Sequence, residues 1–285
     1  MKSIIISMLL FTTVLSQQMA DNSSGYHSCK TLTGFQSSAV MYPGDSTIDV
    51  TYYKLDLRVT TSPNYLYGEI TVIAKSLSNG LSSFYLDLNN NMITESVSLG
   101  ETPLLFNHST NKLYITLDRS YSINEQFNVK IKYKGLPTQS GFGSFAFTTA
   151  GGYPAVWTLS QPYGAKDWWP CKDTPADKAD SADIWIRCSS DLTAASNGIL
   201  VDVVNNGDGT STYKWKTRYP IAQYLIAMTI GKYTEYINYF HYSESDSMPV
   251  VHYVYPQSFN SNKDNLDKTP AMLEIFSEST GFILS

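Results

Sequence analysis

The sequence has few cysteines and histidines and no long basic run, and each shortage narrows the possible functions. Three cysteines among 285 residues cannot all pair within the chain, which excludes a dense disulfide framework. No two of the four histidines have the i, i+4 spacing that places two imidazoles on one helical face; they are His27, His108, His241 and His252. A catalytic zinc needs three protein ligands, so we expect no metal site in this chain. Without a cluster of Lys and Arg, and with a net charge of −5, nucleic acid is not an expected partner.

The N-terminal residues predict an export signal. Lys2 supplies a positive charge, and the apolar run Ile4–Leu15 ends near Ser16, where cleavage is possible. The run is shorter than the roughly 20 residues that span a bilayer, although a retained membrane anchor is the alternative. We predict a signal peptide over residues 1–16, a flexible linker over residues 17–44, and a secreted, extracellular or periplasmic protein with no later membrane span.

Two further features depend on that compartment. Asn22-Ser23-Ser24 and Asn107-His108-Ser109 are acceptor motifs for N-glycosylation in a host that attaches glycans. Cys171 and Cys188 could pair, but their spacing leaves this open, and Cys171 on its own also suits a small buried apolar position.

Residues 45–235 have the pattern of an all-β domain. The clearest strand is Phe127–Lys134, where Val129, Ile131 and Tyr133 alternate with lysines. The segment 205–209, NNGDG, predicts a hairpin turn. The apolar run Ala222–Ile230 predicts a strand that is buried on both faces. Other strands are predicted at Tyr52–Val59, Glu69–Lys75, Phe84–Leu88, Lys112–Leu117, Ala182–Cys188, Leu200–Val204 and Ser211–Thr217.

Residues 236–285 predict the beginning of a second, truncated domain. Pro249–Tyr255 is typical of a strand, and Thr269 followed by Pro270 is typical of a helix N-terminus. Leu266, Leu273 and Phe276 form the apolar side of the predicted helix, which we expect to stop at Gly281. One strand and one helix cannot enclose a core of their own.

The segment Trp157–Ala179, WTLSQPYGAKDWWPCKDTPADKA, has neither helical nor strand periodicity. It carries Trp168 and Trp169, whose rings favour burial, and charged residues that favour solvent. We interpret it as a stiff, partly buried loop between two strands. It either holds functional side chains at a rim or only fills the end of a β-sandwich.

This segment resembles the N-terminal β domain of the zinc aminopeptidases of the aminopeptidase N and leukotriene hydrolase family. The matching features are Gln161, the run Pro170-Cys171-Lys172-Asp173-Thr174-Pro175, and the pair Lys178-Ala179. The resemblance extends over about residues 45–280 through Tyr52–Leu57, Ala195–Gly198, Tyr213–Trp215 and Pro220–Leu225. It implies a mainly β fold, a saddle-shaped multi-stranded antiparallel β domain, followed by the first strand and helix of a truncated α/β thermolysin-like catalytic domain.

The resemblance also implies a function for Gln161. In this family the position faces the active site and helps to bind the free α-amino group of a peptide, whose ammonium needs acceptors when it leaves water. Tyr163 is a candidate wall of the same cleft. Asp173 is expected to accept backbone N–H groups, and Lys178 to pair with Asp177 or Asp180 or to be solvated.

The family's catalytic residues are not in this sequence. Neither GxMEN nor HExxH occurs, so we name no catalytic residue and no metal ligand and expect the chain to be inactive alone. The implied partners are peptide substrates with a free N-terminus and a missing catalytic domain that would hold the zinc. The alternative is a non-enzymatic secreted β-sandwich that binds a glycan or a protein through its aromatic surface, because 21 residues are tyrosines.

Overall fold

The computed structural model describes residues 44–280, so the predicted signal peptide, nearly all of the predicted linker, Cys29 and the helix stop at Gly281 lie outside the described residues. The strands are β1 (Ile48–Thr61), β2 (Asn64–Ser76), β3 (Leu81–Asp87), β4 (Met92–Leu99), β5 (Thr102–Pro103), β6 (Phe106–Ser109), β7 (Lys112–Tyr121), β8 (Gln126–Gly135), β9 (Ser144–Ala150), β10 (Tyr153–Leu159), β11 (Lys178–Ala179), β12 (Ser181–Ser189), β13 (Thr193–Ser196), β14 (Ile199–Asn205), β15 (Thr210–Thr217), β16 (Ile221–Ala222), β17 (Met228–Gly231), β18 (Thr234–His241) and β19 (Ser247–Val254). The α-helices are α1 (Pro256–Leu266) and α2 (Thr269–Thr280).

An eight-stranded sheet in the order β14-β15-β12-β1-β2-β8-β4-β5 is the largest layer. Buried and exposed side chains alternate along its strands as predicted. In β8, Val129 and Ile131 are fully buried, while Lys130 and Lys132 lie on the outer face. Both lysines bind Glu69 of β2, at 3.2 and 3.5 Å. This period of two gives the sheet one apolar face and one wet face.

Smaller sheets complete the β structure. A four-stranded sheet has the order β13-β17-β10-β9, a three-stranded sheet has the order β3-β7-β6, and β11-β16 and β18-β19 are two-stranded. Most neighbours are antiparallel, as expected, but β1 pairs with β12 in parallel, from Tyr52↔Ser181 to Arg58↔Arg187. The predicted hairpin is confirmed, because β14 and β15 are antiparallel around a turn in which Gly207 and Gly209 have positive φ.

The main hydrophobic core lies between the large sheet and the smaller sheets. It contains the inward side chains of β1, among them Leu55 and Leu57, together with Trp168, Trp169 and Trp215. A second, small cluster of Phe240, Met248, Val250 and Leu273 joins the β18–β19 hairpin to α2. The predicted domain boundary near residue 236 stays a prediction.

The prediction of a single strand over Ala222–Ile230 is wrong. β16 ends at Ala222, a 3₁₀ turn spans Gln223–Leu225, and β17 begins at Met228. The predicted strand is interrupted because β16 pairs with β11, whereas β17 pairs with β10 and β13 in a different sheet.

The C-terminal region holds two strands and two helices where one of each was predicted. Leu266 is buried at the end of α1 and Leu273 is buried in α2, so these two leucines belong to different helices. Phe276, the third predicted member of the apolar side, is 62% exposed.

Candidate substrate-binding loop

The segment between β10 and β11, Ser160–Asp177, is called the Trp loop below. Trp168 and Trp169 are both fully buried, which confirms that their rings serve packing. The indole N–H of Trp168 donates to Ser160 Oγ at 2.9 Å, and Tyr133 donates to the Trp168 carbonyl at 2.9 Å. Trp169 packs edge-on against Tyr53, with ring centroids 4.8 Å apart. The two rings fix the middle of the loop in the main core.

Backbone bonds join the loop to the end of β3. Asp87 N–H donates to the Cys171 carbonyl at 2.7 Å, and Cys171 N–H donates to the Asp87 carbonyl at 3.1 Å. The Asp87 carboxylate also accepts the N–H of Asp173 at 3.0 Å. Burial raises the pKa of the Asp87 carboxyl, which the Asp173 N–H partly offsets.

The sequence left undecided whether Cys171 and Cys188 form a disulfide. Both cysteines are free and buried in the structure, so this disulfide is not formed. Burial raises the pKa of the Cys171 thiol well above its ordinary value. A thiol that stays protonated is a poor nucleophile, and Cys171 therefore acts as a small apolar residue.

Lys172 and Asp177 connect the loop to β1. The Lys172 ammonium lies 2.6 Å from Asp177 Oδ2 and donates to the Ile48 carbonyl at 2.6 Å. Asp177 in turn accepts the N–H of Val50 at 3.2 Å. Of the three alternatives for Lys178, its exposure fits the solvated one, because Lys172 reaches the Asp177 carboxylate from inside the fold.

Gln161 and Tyr163 lie together on the exposed stretch of this otherwise buried loop. Gln161 is exposed, and the Tyr163 side chain is 39% exposed. The bond between Gln161 and Pro162 is cis. The structure thus places both predicted site residues in solvent, on either side of Pro162.

Asp173 supports that exposed stretch through two donors. Gln223 Nε2 donates both to the Pro162 carbonyl at 3.2 Å and to Asp173 Oδ1 at 3.0 Å. The Lys166 ammonium lies 3.0 Å from Asp173 Oδ2 and also donates to the Tyr163 carbonyl. Two carbonyls of the exposed stretch are therefore held by side chains that share one buried carboxylate.

The expected structural role of Asp173 fits this geometry, although its acceptors take side-chain donors from Lys166 and Gln223. Burial raises the pKa of the Asp173 carboxyl, while Lys166 and Gln223 favour its charged form. Gln223 itself was missed in the sequence, because it stands within the apolar run read as a strand. A single amide inside such a run was the available signal, since a buried amide needs partners.

No zinc site accompanies these residues. Within residues 44–280, no group of three or more His, Cys, Asp or Glu side chains could hold a metal ion. Two shallow grooves cross the outer face of the large sheet, with volumes of about 540 and 360 Å³, and neither is lined by Gln161 or Tyr163. Across the same part of the chain, no helix combines the length and apolar character needed to cross a membrane.

A family model described as the Peptidase M1 N-terminal domain matches residues 50–225. This chain belongs to that family. The match includes the whole Trp loop and Gln223, so the expected family is confirmed.

Two curated relatives are similar to this chain over their N-terminal parts. Leucine aminopeptidase 2 of Vanderwaltozyma polyspora is 25% identical over 200 residues, which are 67% of this chain and 29% of that protein. Leucine aminopeptidase 2 of Aspergillus niger is 28% identical over 181 residues, 60% of this chain and 29% of that protein. The chain therefore matches less than a third of the length of either relative.

Solved structures share the fold. The M1 zinc metallopeptidase from Deinococcus radiodurans has a TM-score of 0.66 at 20% identity, covering 82% of this chain and 53% of that chain. A mutant of it bound to a Tyr-Ser-Ala substrate has a TM-score of 0.67 at 19% identity, covering 82% and 54%. About half of those structures thus has no counterpart in this chain.

Proposed function

We propose that this chain is the N-terminal portion of a secreted zinc aminopeptidase that removes N-terminal residues from peptides, and that it is inactive alone. The proposal is supported by the membership of residues 50–225 in the M1 family and by the similarity of the chain to two leucine aminopeptidases over 200 and 181 residues. In this proposal the zinc and the groups that activate water would be supplied by the family's catalytic domain, and within residues 44–280 no group of His, Cys, Asp and Glu side chains fits a metal. What this chain supplies is one wall of the substrate cleft.

The observation that carries the proposal is the position of Gln161. Its side chain is exposed on a loop that is otherwise buried and bonded to β1, β3 and β8. A loop used only as a plug gains nothing by exposing an amide on a backbone that is held in place, whereas a binding loop does. The backbone beside Gln161 is held at the Pro162 and Tyr163 carbonyls, and the Gln161 side-chain carbonyl can accept one N–H of a substrate ammonium.

Tyr163 would extend the same wall. Its ring lies partly exposed two residues from Gln161, on backbone that Lys166 holds through the Tyr163 carbonyl. A peptide whose amino group meets Gln161 would place its first side chain near this ring. Tyr163 is therefore our candidate for contacting the side chain of the peptide's N-terminal residue.

The reading frame of the gene gives the first test. We expect it to continue into an HExxH motif, consistent with the 29% of each leucine aminopeptidase that the chain matches. The purified 285-residue chain should release no amino acid from an aminoacyl amide, with or without added zinc. A gene without HExxH in any frame, or specific glycan binding by the purified chain, would instead support the non-enzymatic binding module.

Gln161→Ala in the complete enzyme tests the amine-binding role. One hydrogen bond to a charged group contributes about 1.5–3 kcal/mol, so kcat/KM for substrates with a free amino group should fall roughly tenfold or more. Substrates with a blocked amino group should change much less. Gln126→Ala, which removes an exposed glutamine on β8, is the matched control and should leave both substrates unaffected. Equal losses for free and blocked substrates would remove Gln161 from this role.

A further inference from the structure

The acceptor motif Asn107-His108-Ser109 lies on β6, at the edge of the three-stranded sheet β3-β7-β6. Asn107 is exposed, and its neighbours Leu105 and Tyr114 are 78% and 42% exposed. An edge strand offers unpaired backbone groups, and exposed apolar side chains beside it favour association with other chains. These three residues are called the β6 rim below.

His108 determines which way the motif faces. One ring nitrogen, Nε2, lies 3.0 Å from the Leu88 carbonyl, and the other, Nδ1, lies 3.3 Å from Thr94 Oγ1. A carbonyl can only accept, so Nε2 carries the proton and Nδ1 accepts from the Thr94 hydroxyl. Because side chains alternate along a strand, an inward His108 directs Asn107 and Ser109 outward together.

The outward pair has the geometry of an accessible acceptor. Asn107 Nδ2 donates to Ser109 Oγ at 3.2 Å in an exposed hydrogen bond, and the Asn107 side chain is exposed while Ser109 is partly exposed. Asn107 is paired across the strands with Tyr114, and Tyr114 with Tyr85. The two tyrosine rings have centroids 5.8 Å apart, so an aromatic surface begins directly beside the Asn107 amide.

We propose that Asn107 is an N-glycosylation site and that its glycan covers the β6 rim. In the reaction, Asn107 Nδ2 forms a bond to the anomeric carbon of a lipid-linked oligosaccharyl diphosphate. The bond between that carbon and the diphosphate oxygen breaks, the lipid diphosphate leaves with the electron pair, and one amide proton passes to a base of the transferase. The first sugar then lies against Tyr114, with its apolar C–H face toward the ring, and Leu105 is removed from contact with other chains.

The proposal requires that the chain enters a secretory compartment, which is itself proposed above, but it does not depend on peptidase activity. The other acceptor motif, at Asn22, lies outside the described residues. Elsewhere Asn128 is exposed on β8 without a hydroxyl residue two positions later, so it serves as a matched control.

Peptide mass spectrometry of the full chain from eukaryotic secretory cells tests the site. Release of glycans by an N-glycosidase in heavy-oxygen water should convert Asn107 into labelled aspartate. The label should disappear in Ser109→Ala, which removes the hydroxyl, and persist in Ser109→Thr and Asn128→Gln. An unmodified Asn107 overturns the proposal, whether the chain is exported or remains inside the cell.

Light scattering before and after deglycosylation tests the covering role. The deglycosylated chain should self-associate more than the glycosylated chain, and Leu105→Lys should abolish that increase. Self-association that is unchanged by glycan removal would overturn the covering of the β6 rim.

Discussion

Gln223 is one of two residues, with Lys166, whose side chains bond the exposed stretch of the Trp loop to the buried Asp173 carboxylate. Its amide nitrogen makes two hydrogen bonds, to the Pro162 carbonyl and to Asp173, while its amide oxygen has no partner among the described residues. The side chain is 1% exposed, so water does not replace either bond when it is removed. The position of Gln161 therefore depends on a residue far along the chain.

Gln223→Leu should destabilise the protein by about 1–3 kcal/mol, because it leaves the Pro162 carbonyl and a buried oxygen of Asp173 without this donor. Urea unfolding of the full chain, monitored by tryptophan fluorescence, measures the loss. Gln126→Leu, at an exposed glutamine, should change stability by less than about 0.5 kcal/mol. Equal stabilities for the two variants would contradict the bonding role of Gln223.

For single residues, the sequence predicted burial more reliably than it predicted which residue forms an ion pair with which. Burial of Trp168, Trp169 and Cys171 follows from their side chains alone. The Lys172–Asp177 pair could not be predicted from spacing, because Lys178 is nearer in sequence both to Asp177 and to Asp180 than Lys172 is. Only the path of β1, which brings Ile48 and Val50 alongside, makes Lys172 the partner.

Among the elements, the Trp loop and β1 are joined by a buried ion pair. The Lys172 and Asp177 side chains are 10% and 9% exposed, and each also bonds the backbone of β1. A buried charge that loses its partner is costly, whereas an exposed pair contributes little.

Lys172→Met should therefore lower the free energy of unfolding by about 3–5 kcal/mol. The exposed pair Lys134–Glu95, with exposures of 36% and 43%, provides the control, and Lys134→Met should cost at most about 1 kcal/mol. Adding Asp177→Asn to Lys172→Met should recover part of the loss by removing the uncompensated charge. Thermal or urea unfolding compares the variants, and equal losses for both lysines would contradict the buried coupling.

Sequence patterns located the elements with clean alternation and missed those without it. β8 and β12 were predicted because their apolar residues recur at every second position. β9 and β10 were not, since small residues, glycines and Pro154 obscure the period around them. The break within 222–230 depends on which strands pair on each side, which is information that periodicity does not contain.

For the whole molecule, buried carboxyls set part of the dependence of stability on pH. Burial raises the pKa of Asp87 above its ordinary value of 3.8 in the folded protein. Between pH 3.8 and that raised pKa, the folded state binds more protons than the unfolded state, so this group's contribution to stability is lost as pH rises. A hydrogen bond from Thr210 lowers the pKa of Asp208, an exposed residue, and gives the opposite sign.

Asp87→Asn should therefore show a pH-dependent effect. The stability of the unmodified chain relative to this variant should be greatest below pH 3.8 and should decline above it. Relative to Asp208→Asn the trend should reverse, with the advantage of the unmodified chain growing as pH rises. Urea unfolding at a series of pH values measures both differences, and parallel trends for the two variants would contradict the assignment.

The parallel pairing of β1 with β12 has a consequence for synthesis on the ribosome. Tyr52 and its neighbours can form a hairpin with β2 as soon as Ser76 has emerged, but their other edge has no strand to bond until Ser181–Ser189 follows. Contacts between such distant segments form slowly because a long loop must close first. The nascent chain therefore carries a hairpin with one unpaired apolar edge while residues 77–180 are synthesised, which makes it a suitable client for chaperones that bind extended strands.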